Sequence, residues 1–280
     1  MIPWWGKLVA KLFLSRLPFG YAVWQKLGLF RHGTMDSADY ALRVFEERAQ
    51  QAGVLHRIHG QRILELGPGD SIGSAIIAAS IGAEAIIIDA GSFARDDVDF
   101  YITFANTLQE KGFFPPDIKF CKNINEILLA CRSQYKTEGL ASLRSLPDNS
   151  IDYIFSQAVL EHVRKHEFLS TLKEFRRILK PGGVCSHQID LRDHLGGALN
   201  NMRFGSRTWE SNFFVSSGFY TNRICFTQMM ELFDQAGFQA SVSGVKRWPN
   251  LPTPRCKLAP EFHSLTDEDL AISQFDVVLR

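Results

Sequence analysis

RILELGPGDSIG, at residues 62–73, decides the fold of this chain, together with AIIID at residues 85–89. Each stretch is a short apolar run with an acidic residue in or just after it, and a glycine turn leads from the first run towards a helix. Strand, glycine turn, helix and strand in this order are typical of a βαβ unit that holds a nucleotide-type cofactor at the carboxyl end of a parallel sheet. The sequence therefore predicts an α/β fold with a cofactor site after its first strand.

The spacing of the glycines indicates the kind of cofactor. A dinucleotide fingerprint would place a third glycine at residue 72, but Ile72 stands there and Gly73 follows. The loop therefore suits a ligand without phosphate better than it suits a pyrophosphate. Such a ligand would offer ribose hydroxyls to Asp89 and an ammonium group to Glu65.

Length and composition describe an ordinary globular protein. The chain has 280 residues, 45% of them hydrophobic and 22% charged, which is enough for one large α/β domain. A net charge of +1 gives no general reason to expect a nucleic-acid partner. The five cysteines lack metal-type pairing, and their odd number suits a reducing compartment. With no apolar run long enough to span a bilayer, we expect a cytoplasmic protein.

Hydrophobic patterning extends the βαβ unit into a single Rossmann-like, doubly wound α/β sheet. The sheet is expected to be mostly parallel, and the alternation of polar and apolar side chains at residues 274–279 permits a terminal antiparallel strand. Helices are predicted from residue 36 or 37 to 51, at 71–81, from 168 to the Pro-Gly-Gly turn and at 228–236, while 90–134 reads as less regular. The predicted strands are 62–66, 85–89, 135–138, 151–155, 184–189, 238–245 and 272–279.

Three further blocks carry a resemblance to a known family. They are LPDNSIDYIFS at 146–156, AVLEHV at 158–163 and RILKPGG at 177–183. With the glycine loop before them, these blocks resemble those of the class I S-adenosylmethionine-dependent methyltransferases, in particular the broad type-11-like group. The resemblance covers about residues 61–184, and it does not explain the first sixty residues or the segment 187–223.

The resemblance implies S-adenosyl-L-methionine as the cofactor and gives roles to the residues that match. Gly67 and Gly69 would let the backbone approach the ligand closely. Glu65 would face the methionine ammonium group, directly or through water. Asp89 would accept hydrogen bonds from both ribose hydroxyls.

The other cofactor contacts are expected after the third and fourth strands. Family members often carry an acid after the third strand to bind the adenine amino group, but Leu140 stands at that position here. Adenine would then be held by backbone groups and by Leu140, or by Glu138 if the alignment is shifted. Ser156 and Gln157 would line the floor beneath the methionine moiety.

Methyl transfer to a hydroxyl requires a base, for which histidine is the usual choice. The segment HQIDLRDH at 187–194 follows the fifth strand, at the sheet edge where ligands bind. Alternation along a strand places His187 and Asp190 on opposite faces, so both need not enter the site. The candidate catalytic residues are His187, Asp190 and His194. His162, after the fourth strand, is a second candidate base, and a metal held by the same residues is an alternative that the spacing does not support.

The N-terminal segment, residues 1–52, is predicted to be a helical extension before a methyltransferase domain at residues 53–280. Residues 1–35 contain basic side chains and tryptophans but no acid, and apolar residues from Leu8 to Leu17 recur at helical spacing. This helix would either contact an anionic membrane through residues 1–32 or pack on the catalytic domain or in a dimer contact.

An insertion at about residues 192–223 completes the organisation. It is rich in aromatic residues, amides and arginine, a composition that suits a lid over a carbohydrate or another polyhydroxyl ligand. Taken with the resemblance, this implies a methyltransferase that acts on the hydroxyl of a small molecule or glycan. Two alternatives stay open: a non-catalytic partner protein that binds S-adenosylmethionine, and a nicotinamide-dependent oxidoreductase, which Ile72 disfavours.

Overall fold

The computed structural model describes residues 3–16 and 37–280. The part of the predicted N-terminal extension between residues 17 and 36 lies outside these ranges. Within them, one sheet has the strand order β3-β2-β1-β4-β5-β7-β6. Its strands are β1 (Arg62–Leu66), β2 (Glu84–Ile88), β3 (Gln134–Lys136), β4 (Ile151–Gln157), β5 (Leu179–Asp190), β6 (Ala240–Arg247) and β7 (Ile272–Leu279).

Helices cover both faces of this sheet and build the segments around it. They are α1 (Trp4–Leu14), α2 (Ala38–Ala52), α3 (Gly73–Ser80), α4 (Val98–Glu110), α5 (Ile124–Ala130), α6 (Leu140–Arg144), α7 (Phe168–Ile178), α8 (Ser206–Trp209), α9 (Asn212–Val215), α10 (Phe226–Gln235) and α11 (Asp267–Leu270).

Strand pairing confirms the fold class. The strands β3, β2, β1, β4 and β5 are parallel neighbours, and β7 pairs antiparallel with both β5 and β6. The strand order reverses between β1 and β4, with β2 on one side of β1 and β4 on the other. In open α/β sheets, ligands bind at the carboxyl edge beside this reversal. The fold therefore places the glycine loop after β1 at the expected binding crevice.

Two hydrophobic layers enclose the sheet. One face, which includes Ile63 and Phe155, packs against α2, α3 and α4. The other face, which includes Leu64 and Ile154, packs against α7 and α10. The strands are apolar on both faces because each face is covered, as is usual for a parallel sheet.

The helix α2 is part of the main core. Ser37 begins it, since its hydroxyl accepts from the backbone N–H of Tyr40, and Val44 and Phe45 are fully buried against the sheet. Arg48 of α2 donates to Asp276 of β7 at 2.6 Å, with both side chains almost fully buried. Residue 52 therefore does not separate two independently packed units.

Two differences from the predicted elements have clear local causes. The segment 90–134, read as irregular, contains α4 and α5, and each begins at a capping side chain, Asp97 and Asn123 respectively. The strand β5 begins at Leu179 rather than at 184, because the chain leaves α7 in extended form and passes the Pro-Gly-Gly turn with a register shift against β4. The turn thus lies within the strand and does not precede it.

The helix α1 packs on the insertion. Leu8 joins a cluster with Leu195, Trp209, Phe214, Phe219 and Tyr220, and Trp4 and Leu12 pack at its margin. This cluster is separate from the layers on the sheet, so the insertion and α1 form a small core of their own. Among the described residues, none of the helices is both long and apolar enough to cross a bilayer.

Candidate functional site

The glycine loop after β1 has the backbone conformation that requires glycine. Gly67 and Gly69 have φ values of 68° and 67°, in the left-handed region that L side chains rarely adopt. A Cβ at Gly67 would lie 2.5 Å from the side chain of Val159, and one at Gly73 would lie 2.5 Å from the ring of Phe104. At Gly67, therefore, the tight approach is to Val159, and the third glycine allows α3 to pack closely on α4.

Glu65, at the end of β1, is a buried acid whose hydrogen-bond donor is the hydroxyl of Ser74. Burial raises the pKa of Glu65 to about 8, and the nearby Asp89 raises it further while the Ser74 hydrogen bond opposes the shift. A buried carboxyl group gains most from a cation that neutralises it. This position therefore suits the ammonium group of a ligand.

Asp89 follows β2 and faces the glycine loop. Its carboxylate accepts from the backbone N–H of Ala90 at 2.7 Å and from that of Gly69 at 3.2 Å. Burial raises the pKa of Asp89 to about 6, against the effect of these two hydrogen bonds. A half-buried carboxylate with acceptor sites left over fits a pair of ribose hydroxyls.

The end of β4 differs from the prediction at one of its two residues. The hydroxyl of Ser156 is fully buried and lies 2.7 Å from Nδ1 of His187, so it is not available to a cofactor. Gln157 donates to Gln188 at 2.6 Å, while its own Oε1 is buried without a hydrogen-bond partner in the described part of the chain. This unsatisfied acceptor, close to the glycine loop, suits a ligand donor.

The predicted adenine contact follows β3. Leu140 is half-buried and begins α6 after Gly139, whose φ is 49° and whose Cβ position lies 3.8 Å from the backbone of Ala90. The loops after β2 and β3 therefore meet beside Asp89, where an adenine attached to the ribose would lie. Glu138, the alternative contact, is exposed.

His187 is a core residue. Its ring is fully buried and stacks on Phe175 at 5.6 Å between ring centres. Burial lowers the pKa of His187 to about 3, with a smaller contribution from Arg48. His187 is therefore not placed to act as the predicted base, because its ring is fully buried and an acceptor molecule cannot reach it.

The two acids of the segment after β5 have structural partners. Asp190 forms an ion pair with Arg192 at 2.6 Å, which leaves it poorly placed to accept a substrate proton. Asp193 is buried and accepts from the backbone N–H groups of Leu195 and Asn200, at 2.9 Å and 2.6 Å. The dense group of charges at 187–194 is thus explained largely by how the loop folds.

His162 and His194 come together at the carboxyl edge. Their Nε2 atoms are 3.1 Å apart and their rings are nearly parallel, with centres 4.8 Å apart. His162 follows β4 and His194 follows β5, and both residues are exposed. Because β4 and β5 are parallel neighbours, the pair lies at the same sheet edge as the glycine loop.

Hydrogen bonds determine which nitrogens of the pair carry protons. Nδ1 of His162 lies 2.8 Å from the carbonyl oxygen of Tyr220, so it must carry the hydrogen. In the neutral state, Nε2 of His162 is then the acceptor and Nε2 of His194 the donor between the rings. This leaves the lone pair of His194 on Nδ1.

The charges around the pair favour a neutral His194. His194 is partly exposed, but burial against the surrounding chain still lowers the pKa of its imidazole. The positive charge of Lys11 in α1 lowers this pKa further. Asp190 and Asp193 act in the opposite direction, and Arg192 lowers it slightly. The lowered pKa keeps the side chain neutral at a lower pH than an ordinary histidine, so its unprotonated nitrogen is available at neutral pH.

Glu161 is a buried group that the sequence analysis did not single out. Neither of its carboxyl oxygens makes a hydrogen bond within the described ranges, and burial raises its pKa well above the ordinary value. It borders a cavity of about 10 Å³ between α11, the start of β7 and the end of the insertion, which is room for about one water molecule. Glu161 lies in a largely apolar sequence block, and nothing in that block indicates that its carboxyl group is buried without a hydrogen-bond partner.

The aromatic and amide side chains of the insertion do not form an open platform for a sugar. Trp209 and Phe219 are buried in the cluster with α1. Asn222 bonds to the backbone of Leu160 and Val163, and Arg223 donates to the backbone of Phe204. The composition of the insertion is therefore explained by its own small core.

Residues 118–186 match the family model of the methyltransferase domain. The match overlaps the region that resembles the class I S-adenosylmethionine-dependent methyltransferases, and it supports S-adenosylmethionine as the cofactor. The match covers β3 to the middle of β5, and the glycine loop lies outside it. No curated protein matches the chain.

Solved structures similar to this chain include three named methyltransferases. A putative sarcosine dimethylglycine methyltransferase from Galdieria sulphuraria is 14% identical, with a TM-score of 0.48 and 86% of each chain covered. An S-adenosylmethionine-dependent methyltransferase from Mesorhizobium loti is 16% identical, with a TM-score of 0.45 and coverage of 88% of this chain and 100% of the other. One from Archaeoglobus fulgidus is 13% identical, with a TM-score of 0.45 and coverage of 85% and 93%.

Proposed function

We propose that this protein transfers a methyl group from S-adenosylmethionine to a hydroxyl group of a small molecule or glycan. The observation that carries the proposal is the exposed pair His162–His194, which offers a base at the carboxyl edge of the sheet. An amine acceptor with a free lone pair would not need such a base, whereas a hydroxyl must lose its proton during transfer.

The residues at the ends of β1, β2 and β4 fit this cofactor. Glu65 would bind the ammonium group, Asp89 the ribose hydroxyls, and the unsatisfied Oε1 of Gln157 a further donor. Leu140 would contact the adenine ring. When bound, the cofactor supplies a methyl group already activated on a positively charged sulfur. The chain therefore has to position the acceptor, exclude water and remove one proton.

The proton can be followed through the pair. Nδ1 of His194 would accept the proton of the acceptor hydroxyl as the hydroxyl oxygen takes the methyl group that the bound cofactor supplies. His194 then carries one positive charge, and its Nε2–H donates to Nε2 of His162. His162 is held in this orientation by the carbonyl oxygen of Tyr220, so the pair can share the charge until the proton passes to water.

The direct test is transfer of isotope-labelled methyl from S-adenosylmethionine to panels of hydroxyl and amine acceptors. We expect label in base-stable methyl ethers of hydroxyl acceptors, and labelling about 10²–10⁴-fold slower when His194→Gln replaces the wild type. The exposed His166, which lies outside the pair, provides the matched control His166→Gln.

The other outcomes would overturn the proposal in different ways. Label on amines only would reject O-methylation. Cofactor binding without transfer to any acceptor class would favour a non-catalytic partner protein. Equal activity of His194→Gln and the wild type would remove the base from the account.

A further inference from the structure

The helix α1 has two apolar faces, and they differ in what covers them. Leu8 is buried against the insertion, with Trp4 and Leu12 at the margin of the same cluster. On the other side, Trp5, Val9 and Phe13 are exposed by 60%, 59% and 67%. Residues four apart lie on one side of a helix, so these three side chains form a continuous apolar stripe in solvent.

The exposed stripe is held outward by contacts on the opposite face. Trp4 packs edge-on against Phe204 at 6.3 Å, and Lys11 donates to the carbonyl oxygen of Gly218 at 3.3 Å. On the side of the stripe, the guanidinium of Arg16 lies 3.6 Å from the centre of the Phe213 ring and ties the C-terminal end of α1 to the insertion. Because these contacts hold one face on the insertion, α1 cannot turn its stripe into the same core.

Phe213 extends the stripe beyond the helix. It lies in α9 of the insertion, its side chain is 53% exposed, and its backbone carbonyl accepts from Arg16. The exposed apolar surface thus joins two segments that are far apart in the sequence. A contiguous apolar patch on a protein surface often marks the place where a partner or a membrane binds.

The charges around the stripe identify the kind of partner. Residues 3–16 contain Lys7, Lys11 and Arg16 and no acid. A second copy of the same helix face would bring Lys7 and Arg16 of both copies together, and residues 3–16 offer no carboxylate to compensate them, so like charges would oppose pairing. A bilayer with anionic head groups compensates them and at the same time accepts the apolar side chains.

The dimensions agree with a helix that lies in the membrane surface. Eleven helical residues span roughly 16 Å, about half the thickness of a hydrocarbon core of about 30 Å. Trp5 also has an indole N–H, which suits the boundary between head groups and acyl chains.

We propose that Trp5, Val9, Phe13 and Phe213 form a docking surface for an anionic membrane, with Lys7 and Arg16 contacting its head groups. This surface is independent of the proposed methyl transfer and would bind vesicles without cofactor or acceptor. It also places the segment that carries His194 next to the bilayer, since Leu195 packs in the same cluster as Leu8.

The test is flotation of the full chain with phosphatidylcholine vesicles prepared with and without phosphatidylserine. We expect the wild type to float with the anionic vesicles, and the variant Trp5→Ser/Val9→Ser/Phe13→Ser to lose partitioning by roughly a hundredfold. Raised salt should weaken the wild-type binding, because it screens the head-group charges.

A matched control comes from a second exposed apolar group. Phe114, Phe120 and Leu129 are exposed by 84%, 87% and 79% and lie far from α1 in the sequence. Their replacement by serine should leave flotation unchanged, and both triple variants should keep wild-type circular dichroism and cofactor binding.

Three results would overturn the docking surface. The first is equal flotation of both triple variants, and the second is equal binding to neutral and anionic vesicles. The third is a wild type that ignores vesicles but forms a dimer that the α1 variant abolishes, since the occupant would then be a second copy. Loss of methyl transfer with intact flotation would reject the proposed function alone.

Discussion

The carboxyl edge of the sheet has two sides that are built differently. The cofactor side consists of the loops after β1 and β2 and the end of β4, and its functional groups are tied to strands and buried or half-buried. The acceptor side consists of α1, the insertion and the loops that carry His162 and His194, and its functional groups are exposed. The cofactor side rests on the main core, whereas the acceptor side has a small core of its own.

This difference indicates which residues should affect cofactor binding and which should affect catalysis. Glu65 and Asp89 occupy positions that the strand ends determine, so their geometry follows from the fold. The His162–His194 pair is assembled by two loops and by a carbonyl of the insertion, so it depends on residues specific to this chain. We expect substitutions on the two sides to have separable effects on cofactor binding and on turnover.

The largest effect is expected on the acceptor side. His194→Gln should reduce kcat by about 10²–10⁴-fold, because it removes the proton acceptor, and should leave S-adenosylmethionine affinity and thermal stability unchanged. Steady-state kinetics and calorimetric titration of the same preparation would measure both. A parallel loss of cofactor affinity would show that the two sides are not separable.

The second effect concerns the main core, at the buried ion pair between α2 and β7. Arg48→Met should destabilise the protein by about 3–5 kcal/mol, because it leaves the Asp276 carboxylate buried without its cation. Arg62→Met is the control, since the Arg62–Glu84 pair is about half exposed and should contribute less than about 1 kcal/mol. Urea denaturation would compare them, and equal losses would contradict the role of α2 in the main core.

The third effect links Glu65 to pH. Its folded-state pKa of about 8 lies above the unfolded value, so the folded protein holds this proton more tightly. The resulting stability is fully present below the unfolded pKa and is lost as pH rises to about 8. Glu65→Gln removes this loss, so the ligand-free variant should exceed the wild type by on the order of 4 kcal/mol at pH 8 and by little at pH 4.

The same variant should bind S-adenosylmethionine more weakly, because an amide does not neutralise an ammonium group. Thermal unfolding across pH, with and without the cofactor, would measure both properties. The exposed Glu47 provides the control Glu47→Gln. A variant that loses stability at pH 8, or that keeps full affinity, would contradict the ammonium site.

The smallest effect is a shift in the pH profile. The pKa of His194 is lowered first by crowding and then by Lys11, so the base is neutral at a lower pH than an ordinary histidine. The rate kcat/KM should rise as pH increases through this pKa. Lys11→Met removes a nearby positive charge and should move the acid limb to higher pH, whereas Lys7→Met, further from the ring, should move it less. If the acid side of the pH profile does not shift in Lys11→Met, Lys11 does not influence the pKa of His194.

Much of the fold could be predicted from the sequence because each parallel strand is a short apolar run bounded by turn residues. The run Ile151–Phe155 lies within β4, and Ile272–Leu279 is β7 in full. The helices α4 and α5 were not predicted, because the two turn-forming prolines between them, Pro115 and Pro116, indicated an irregular segment. Their capping residues, Asp97 and Asn123, were the available signal.

The site was only partly predictable, for physical reasons that differ between its two sides. Glu65 lies near the end of β1 and Asp89 directly follows β2, so their position in sequence determines their position in space. The contact between His162 and His194 joins residues after different strands, and neither composition nor spacing encodes it. His187 and His194 also differ in burial, which the sequence does not reveal. His187 lies within β5 and is covered by α7, whereas His194 lies in the loop after the strand and is exposed.

Calorimetric titration of the wild type and of Asp89→Ala with S-adenosylmethionine and with a nicotinamide dinucleotide tests the central claim most directly. The account predicts that the wild type binds S-adenosylmethionine, that Asp89→Ala binds it far more weakly because the ribose hydroxyls lose their acceptor, and that the dinucleotide does not bind. Binding of the dinucleotide in place of S-adenosylmethionine, or S-adenosylmethionine affinity that does not depend on Asp89, would contradict it.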